Sequence, residues 1–368
     1  MDKALKVLLV GASGVFGSRL AELASREHGI ELTLAARNLH KIEAVAKVLD
    51  CKPHLARLDR NTVKAVELAG YDLVIDAAGP FQASCTRLIE AAIAQSVNYI
   101  DLADGREFVA GFSQFDAAAR DAGVMLITGA SSIPALSHAV IDELTIGWQR
   151  IDALRVGIYP GNRAPRGRSV VEAILSYVGK PVRVFREGTW QVVPGWSGLH
   201  REDIPLIGKR WSSVCDTPEQ DLLVERYAPR RSAEFFAGLE FGVLHLGLWL
   251  CSLPVRIGLL KSLRPFAGPM LKLAELARFA GSDRGAMNVR AQGLDGAGNP
   301  CASHWVLRAD ANRGPYVPVL AALALMRRLR DRRNLPGAGA HVCSGVLQLD
   351  DFSKDFAQLG IETWLDRS

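Results

Sequence analysis

Three glycines stand three positions apart, Gly11, Gly14 and Gly17, inside the stretch VLLVGASGVFGSRLAELASREHGIELTLAARN that runs from Val7 to Asn38. An apolar run precedes them and a helical pattern follows. A turn in that place leaves backbone N–H groups pointing outward at the start of a helix, where the helix dipole adds partial positive charge, so a pyrophosphate can bind there. Glycine is needed because a Cβ would clash with the turn or hold the phosphate away. Ser13, Val15 and Phe16 belong to the same cradle. The GxxGxxG spacing is looser than GxGxxG and also occurs in plain tight turns. Its weight comes from its place between a first strand and a first helix.

Arg37 follows at the end of the next apolar run. An acidic residue there would take the ribose 2′-OH of NAD, whereas an arginine accommodates the 2′-phosphate of NADP with its forked donors. Arg37, with Asn38 beside it, therefore points to NADP(H) in preference to NAD(H); the plainer reading is an arginine at an exposed strand end. Asp59, closing the third run, is placed to face an adenine, and Ala78, Gly79 and Pro80 of DAAGPF to pass close to a nicotinamide ribose. Ordinary loop roles remain open for each.

Hydride transfer asks the protein for alignment and one group that gives or takes a proton. The candidates are Asp101, Asp104, Ser131, Ser132, Tyr177 and His304, each with a structural alternative as a cap, turn or strand residue. An extended short-chain dehydrogenase would carry YxxxK. None of the six tyrosines has a lysine four residues on, and Tyr177, with Lys180 three residues later, comes nearest. A sensor or scaffold that binds the dinucleotide without turnover is the non-enzymatic alternative. No arginine and aspartate arrangement for a dicarboxylic amino acid is legible. The six cysteines are dispersed, without a CxxC pair or a Cys/His cluster, and read as reduced core residues of a cytoplasmic protein rather than zinc ligands.

The elements that must position these residues alternate over the first 130 positions. Apolar runs at Lys6–Val10, Leu32–Ala36, His54–Leu58, Leu73–Ala77, Tyr99–Leu102 and Val124–Thr128 read as strands. The segments Ser18–Arg26, His40–Leu49, Thr62–Leu68, Cys85–Gln95 and Phe108–Asp121 read as helices. The expected fold is α/β: an N-terminal Rossmann domain with a doubly wound parallel sheet over residues 1–133, and a second mixed α/β domain for substrate and dimer contacts over 134–368. The C-terminal tail has the option of packing back on the first domain. Hairpins are expected around Glu187-Gly188 and Asp295–Asn299, and a helix with a basic end over PVLAALALMRRLRDRRN.

Charge is uneven, with 15 Lys+Arg against 18 Asp+Glu in residues 1–150 and 29 against 21 in the rest, so the second part is suited to an anionic or amphiphilic neighbour. Nucleic acid is not expected. Residues 1–10 lead straight into the glycine turn, so no cleavable signal peptide is expected. The stretch FGVLHLGLWLCSLPVRIGLLKSLRPF, residues 241–266, reads first as a buried or interfacial helix pair. Peripheral membrane contact through an apolar face rimmed by Arg256, Lys261 and Arg264, and a true span, are its alternatives. If it lines the substrate cleft, it favours a lipid-like, apolar or acyl compound.

Read together, GASGVFG, LAARN, VIDAAGPFQ, NYIDLADGREFV and GASSIPALSHAVID, in this order, resemble the saccharopine dehydrogenase-like oxidoreductases over about residues 5–145. The resemblance implies an NAD(P)-dependent oxidoreductase, a Rossmann domain followed by an α/β domain, and a homodimer. It covers enzymes that reduce imines, trans-acting enoyl reductases of lipid synthesis and members without an assigned substrate, so imine, enoyl and carbonyl compounds stay open. GASSIPALSHA lacks the acidic residue that lipid-type members tend to show before the serine.

Overall fold

The computed structural model describes residues 3–165 and 167–368. Its first part lays down β1 (Leu5–Val10), α1 (Val15–Ala24), β2 (Ile30–Ala36), α2 (Leu39–Ala46), β3 (His54–Arg57), β4 (Leu73–Asp76), α3 (Arg87–Ala94), β5 (Asn98–Asp101), α4 (Arg106–Ala110), α5 (Asp116–Asp121) and β6 (Met125–Thr128). Strands buried on both faces need continuous apolar runs. Val7, Leu8, Leu9 and Val10 are accordingly buried, as are all four residues of β4 and of β6. Helices α1 and α3 turn Leu20, Ala21, Leu23 and Leu88, Ile89, Ala92 inward.

After α6 (Ser137–Leu144) the pattern becomes strand-rich: β7 (Arg150–Tyr159), α7 (Arg168–Tyr177), β8 (Pro181–Arg186), β9 (Thr189–Pro194), β10 (His200–Ile204), β11 (Gly208–Val214), α8 (Glu219–Tyr227) and β12 (Ser232–Ala237). Then come α9 (Gly242–Arg256), α10 (Ala267–Leu276), β13 (Gly285–Leu294), β14 (Pro300–Ala309), α11 (Leu320–Asp331), β15 (Gly339–Val342), α12 (Asp350–Leu359) and β16 (Glu362–Arg367).

The strands form two sheets. The first has seven parallel strands in the order β15-β6-β5-β4-β1-β2-β3. The chain builds outward from β1 through β2 to β3, then restarts at β4 on the other side of β1. That reversal opens a crevice at the carboxyl ends of β1 and β4. The second sheet is mixed and runs β10-β11-β12-β7-β13-β14-β16, with β8 joined to β12 and to β9. The β8–β9 turn is Glu187-Gly188, both with positive φ (52° and 75°), as a two-residue hairpin of type I′ geometry requires. In the β13–β14 turn Asp295 Oδ1 accepts the N–H groups of Ala297 and Asn299 at 2.9 and 2.8 Å.

Two compact units result, each discontinuous in sequence. One is the chain up to Leu136 with Pro315–Leu347; the other is Ser137–Gly314 with Gln348–Ser368. The main division falls between Leu136 and Ser137; α11 and β15 return to the first unit, and β16 joins the second sheet. Helix α11 is buried from Leu320 to Met326, and Arg327 and Arg330 beyond it both pair with Glu27.

Several local expectations need correction. Thr62–Leu68 yields only a short 3-10 turn, Ala65–Leu68, and Phe108–Asp121 breaks at Gly111 into α4, a 3-10 turn and α5. The cysteines are all free, but Cys85 and Cys251 are exposed and only Cys215 and Cys343 lie in the core. Among the described residues no helix is long and apolar enough to cross a membrane. The segment 241–266, expected as a buried or interfacial helix pair, is not fully buried, since Val243, Leu250, Ile257 and Leu259 are exposed.

Candidate dinucleotide site

The crevice edge of the first sheet collects the turn after each strand. Gly11 leaves β1 with φ +80°, a conformation that favours glycine, and a Cβ there would stand 2.7 Å from the backbone nitrogen of Ala78. The β1 and β4 loops therefore touch only because this position carries no side chain. A Cβ on Gly17 would drive into the backbone of Gly11 and Ala12, so the first turn of α1 sits directly on the loop. Gly14 caps α1 without a side-chain hydrogen bond, and no acidic residue lies in the first turn. The start of α1 thus offers backbone donors and positive dipole with no built-in counter-charge, which fits a diphosphate. Ser13 and Gly14 are exposed there, Val15 and Phe16 half-buried.

Around this edge the structure brings together most of the residues marked from sequence. Val10 pairs with Ala35 on one side and with Asp76 on the other, so Arg37–Asn38 and Ala77–Pro80 flank the glycine turn. Arg37 and Asn38 are exposed, and Arg37 enters no ion pair among the described residues. Asp59 follows β3, with its Oδ1 accepting from Asn61 N–H at 3.0 Å.

Beneath the edge lies a buried polar layer that sequence reasoning missed. Asp76 is fully buried: its Oδ1 accepts the N–H of Ala78 at 2.9 Å, and its Oδ2 lies 3.0 Å from Arg60 Nη2. Arg60, nearly buried, also donates to Ala78 O and stacks over Phe81. One guanidinium thus fixes the β4 loop from below. The signal was there as the arginine in LDRN and the aspartate in VIDAAG, but nothing local marks either as inward-facing.

Asp101 is also fully buried. Its Oδ1 accepts from Ala103 N–H, Thr128 Oγ1 and Gly129 N–H at 2.9, 2.8 and 2.9 Å. Burial pushes its carboxyl up to about 7, against those hydrogen bonds. Its geometry is that of a clamp on the β5 and β6 ends. Asp104 accepts from Gln82 Nε2 at 3.1 Å, and burial raises its carboxyl as well. Ser131 and Ser132, after β6, are buried at 8% and 6% exposure.

The other two proton candidates lie in the second unit. Tyr177 is buried at the end of α7, where its hydroxyl hydrogen-bonds the Cys215 thiol, which burial pushes up to about 12. His304 Nε2 is 2.6 Å from Asn288 Oδ1, and its ring meets Trp364 edge-on. Burial first, and then the charge of Arg290, push His304 down to about 4. Beside it Glu202, 4% exposed, gathers Tyr159 Oη at 3.0 Å, Asn288 Nδ2 at 3.1 Å, Arg290 Nη1 at 3.2 Å and Arg155 Nη2 at 3.4 Å. Nothing local to Arg155 or Arg290 in the sequence marks that the two converge here. They converge on an internal carboxylate, tying the β10–β11 hairpin to β7 and β13.

A strand order of 3-2-1-4-5-6 with a glycine cradle at its reversal point defines a dinucleotide-binding α/β protein with a second, mixed-sheet unit. Residues 7–127 match the saccharopine dehydrogenase NADP binding domain. A curated relative, carboxyaminopropylagmatine dehydrogenase of Synechocystis sp., is 26% identical over 248 residues, which is 63% of this chain and 61% of that protein. The chain thus spans about three fifths of that relative's length. The apo saccharopine dehydrogenase (L-Glu forming) of Saccharomyces cerevisiae shares the fold with a TM-score of 0.69 at 13% identity, covering 99% of this chain and 100% of the yeast chain. Over residues 7–127 the chain is thus similar to the NADP-binding domain of the saccharopine dehydrogenases, and the whole chain shares the fold of the yeast enzyme.

Proposed function

We propose that the chain is an NADP(H)-dependent oxidoreductase acting on a small molecule. The observation that carries this reading is the uncapped start of α1 facing the β1/β4 reversal, with glycine wherever a Cβ would close it. The bound nicotinamide would supply the hydride chemistry. This chain's residues hold and orient it. Backbone N–H groups of Ser13 to Gly17 take the diphosphate, Arg37 and Asn38 the 2′-phosphate end, Asp59 the adenine side, and Ala78, Gly79 and Pro80 the nicotinamide ribose. Arg60 and Asp76 keep that last loop in place.

The reacting bond belongs to an imine, enoyl or carbonyl compound. The name of the Synechocystis relative, a dehydrogenase of an amino compound, puts imines first in the order of testing. Titration calorimetry of the purified chain tests the cofactor. NADPH binding should exceed NADH binding, and Arg37→Glu should weaken NADPH by on the order of 2 kcal/mol, about thirtyfold, through the lost charge-assisted hydrogen bonds. Equal losses for both coenzymes would remove Arg37 as selector, and no heat with either would remove the proposal.

A further inference from the structure

Helix α9 is inside out. Val243, Leu250, Leu253 and Ile257 fall on one helical stripe and are exposed at 67, 57, 38 and 77%, while the buried residues of the helix are His245, Ser252 and Val255. The polar stripe is pinned inward. His245 Nδ1 accepts the N–H of Leu239 at 3.3 Å, its Nε2 meets Ser213 Oγ at 3.0 Å, and burial pushes the ring down to about 4, so it is neutral. Rolling the helix to hide its leucines would strand those groups, so the exposure is a fixed property of the fold. The same character continues beyond the helix through Leu259, Leu273, Leu276 and Phe279, exposed at 74, 58, 75 and 81%. Scattered apolar residues on a surface need no explanation, but this density in one segment does.

The charges decide what covers it. The exposed ionic groups from Lys261 to Arg278 are Lys261, Arg264, Lys272 and Arg278 against Glu275 alone. A second copy brought onto this face would carry the same excess of positive charge and repel it. A surface of anionic lipid headgroups matches both features: leucine and phenylalanine enter the acyl boundary while lysine and arginine meet the headgroups. At 15 residues α9 is about 22 Å long and ends beside Pro254 and Arg256, too short to cross a hydrocarbon core of about 30 Å. We infer that residues 242–279 form a peripheral docking surface for an anionic lipid bilayer, with α9 lying in the interface plane.

Flotation of the full chain with phosphatidylcholine vesicles, with and without phosphatidylglycerol, tests this. Binding should appear with the anionic vesicles, weaken at high salt, and fall about tenfold or more in Lys261→Glu with Lys272→Glu. Ile257→Glu with Leu276→Glu should abolish it while circular dichroism and NADPH binding stay unchanged, since both side chains already face water. Absence of anionic binding at low salt overturns the inference. So does retention by the Ile257→Glu, Leu276→Glu pair. Concentration-dependent self-association that the same pair abolishes, without vesicle binding, would assign the face to a second copy instead.

Discussion

Gly11 and Gly14 make opposite demands although three residues separate them. Gly11 needs its positive φ, and a Cβ would collide with Ala78, so Gly11→Ala should cost about 1–3 kcal/mol of stability as well as cofactor binding. Gly14 has ordinary extended angles (φ −78°, ψ 170°) and only Gly11 O near its missing Cβ, at 3.2 Å. Gly14→Ala should therefore leave the melting temperature close to the parent while holding the diphosphate off the amides and raising the NADPH Kd at least about tenfold. Calorimetry beside thermal melts separates the two. Equal melting losses would mean that both glycines serve only the turn. Asp101 gives a second handle at this scale. Its folded pKa is about 7 against an ordinary value of 3.8, so the unfolded chain releases this proton first as pH rises. The contribution is present below about pH 4 and is lost on the way up through about pH 7. Asp101→Asn keeps an acceptor at Oδ1 and removes the titration, so its stability should change less between pH 4 and 7 than the parent's in parallel urea melts. Identical pH slopes would show that Asp101 is ionised in the fold throughout.

The elements of the first sheet were legible in sequence because parallel strands buried on both faces write continuous apolar runs, and β1, β2, β4, β5 and β6 each appear as one. The glycine turn and Arg37 were readable for the same local reason: their chemistry depends on position relative to a strand end. Arg60, Asp76 and Glu202 were not, because their roles depend on partners 16 to 88 residues away, as the Arg60–Asp76 and Glu202–Arg290 pairs show. For α9 the sequence reads as a buried or interfacial helix because hydrophobicity alone cannot tell an inward stripe from an outward one; His245 and Ser252, spaced seven apart, mark the inward side. The β10–β11 hairpin gives the element-scale prediction. Glu202 is the carboxylate that Arg155 and Arg290 share, and Glu202→Gln leaves two guanidinium groups without it. A fully buried break of this kind costs several kcal/mol, but the arginine side chains are 28% and 38% exposed, so water screens part of the loss. The expected destabilisation is about 1–3 kcal/mol by denaturant melt, with faster hydrogen exchange in 200–214 than in β13. Unchanged exchange in the hairpin would mean that its apolar contacts through Ile204 and Ile207 hold it without the charges.

At the scale of the whole chain, the distinctive feature is that one compact unit is assembled from two distant stretches. Parallel pairing of β15 with β6 places Gly339 opposite Met125 and Val342 opposite Thr128, so the seventh strand extends the cofactor-bearing sheet from far along the sequence. The returning stretch joins the same unit through Tyr316 Oη, just before α11 and 2.6 Å from Glu22 of α1, and through the pairs of Arg327 and Arg330 of α11 with Glu27. A ligand that binds only the native unit lowers the population of its opened forms by RT ln(1 + [L]/Kd), about 2.7 kcal/mol at a hundredfold excess over Kd. Protection should therefore follow the unit and not the sequence. With saturating NADPH, hydrogen exchange should slow in 320–331 and 339–342 along with β1, β4 and β6, although no residue of α11 or β15 is assigned to the cofactor. Exchange in 242–256 should change far less, because α9 belongs to the other unit. Slowing that stops at Thr128 would show that the returning stretch is attached to the sheet without sharing its cooperativity, and the first 128 residues would then have to carry the dinucleotide site alone.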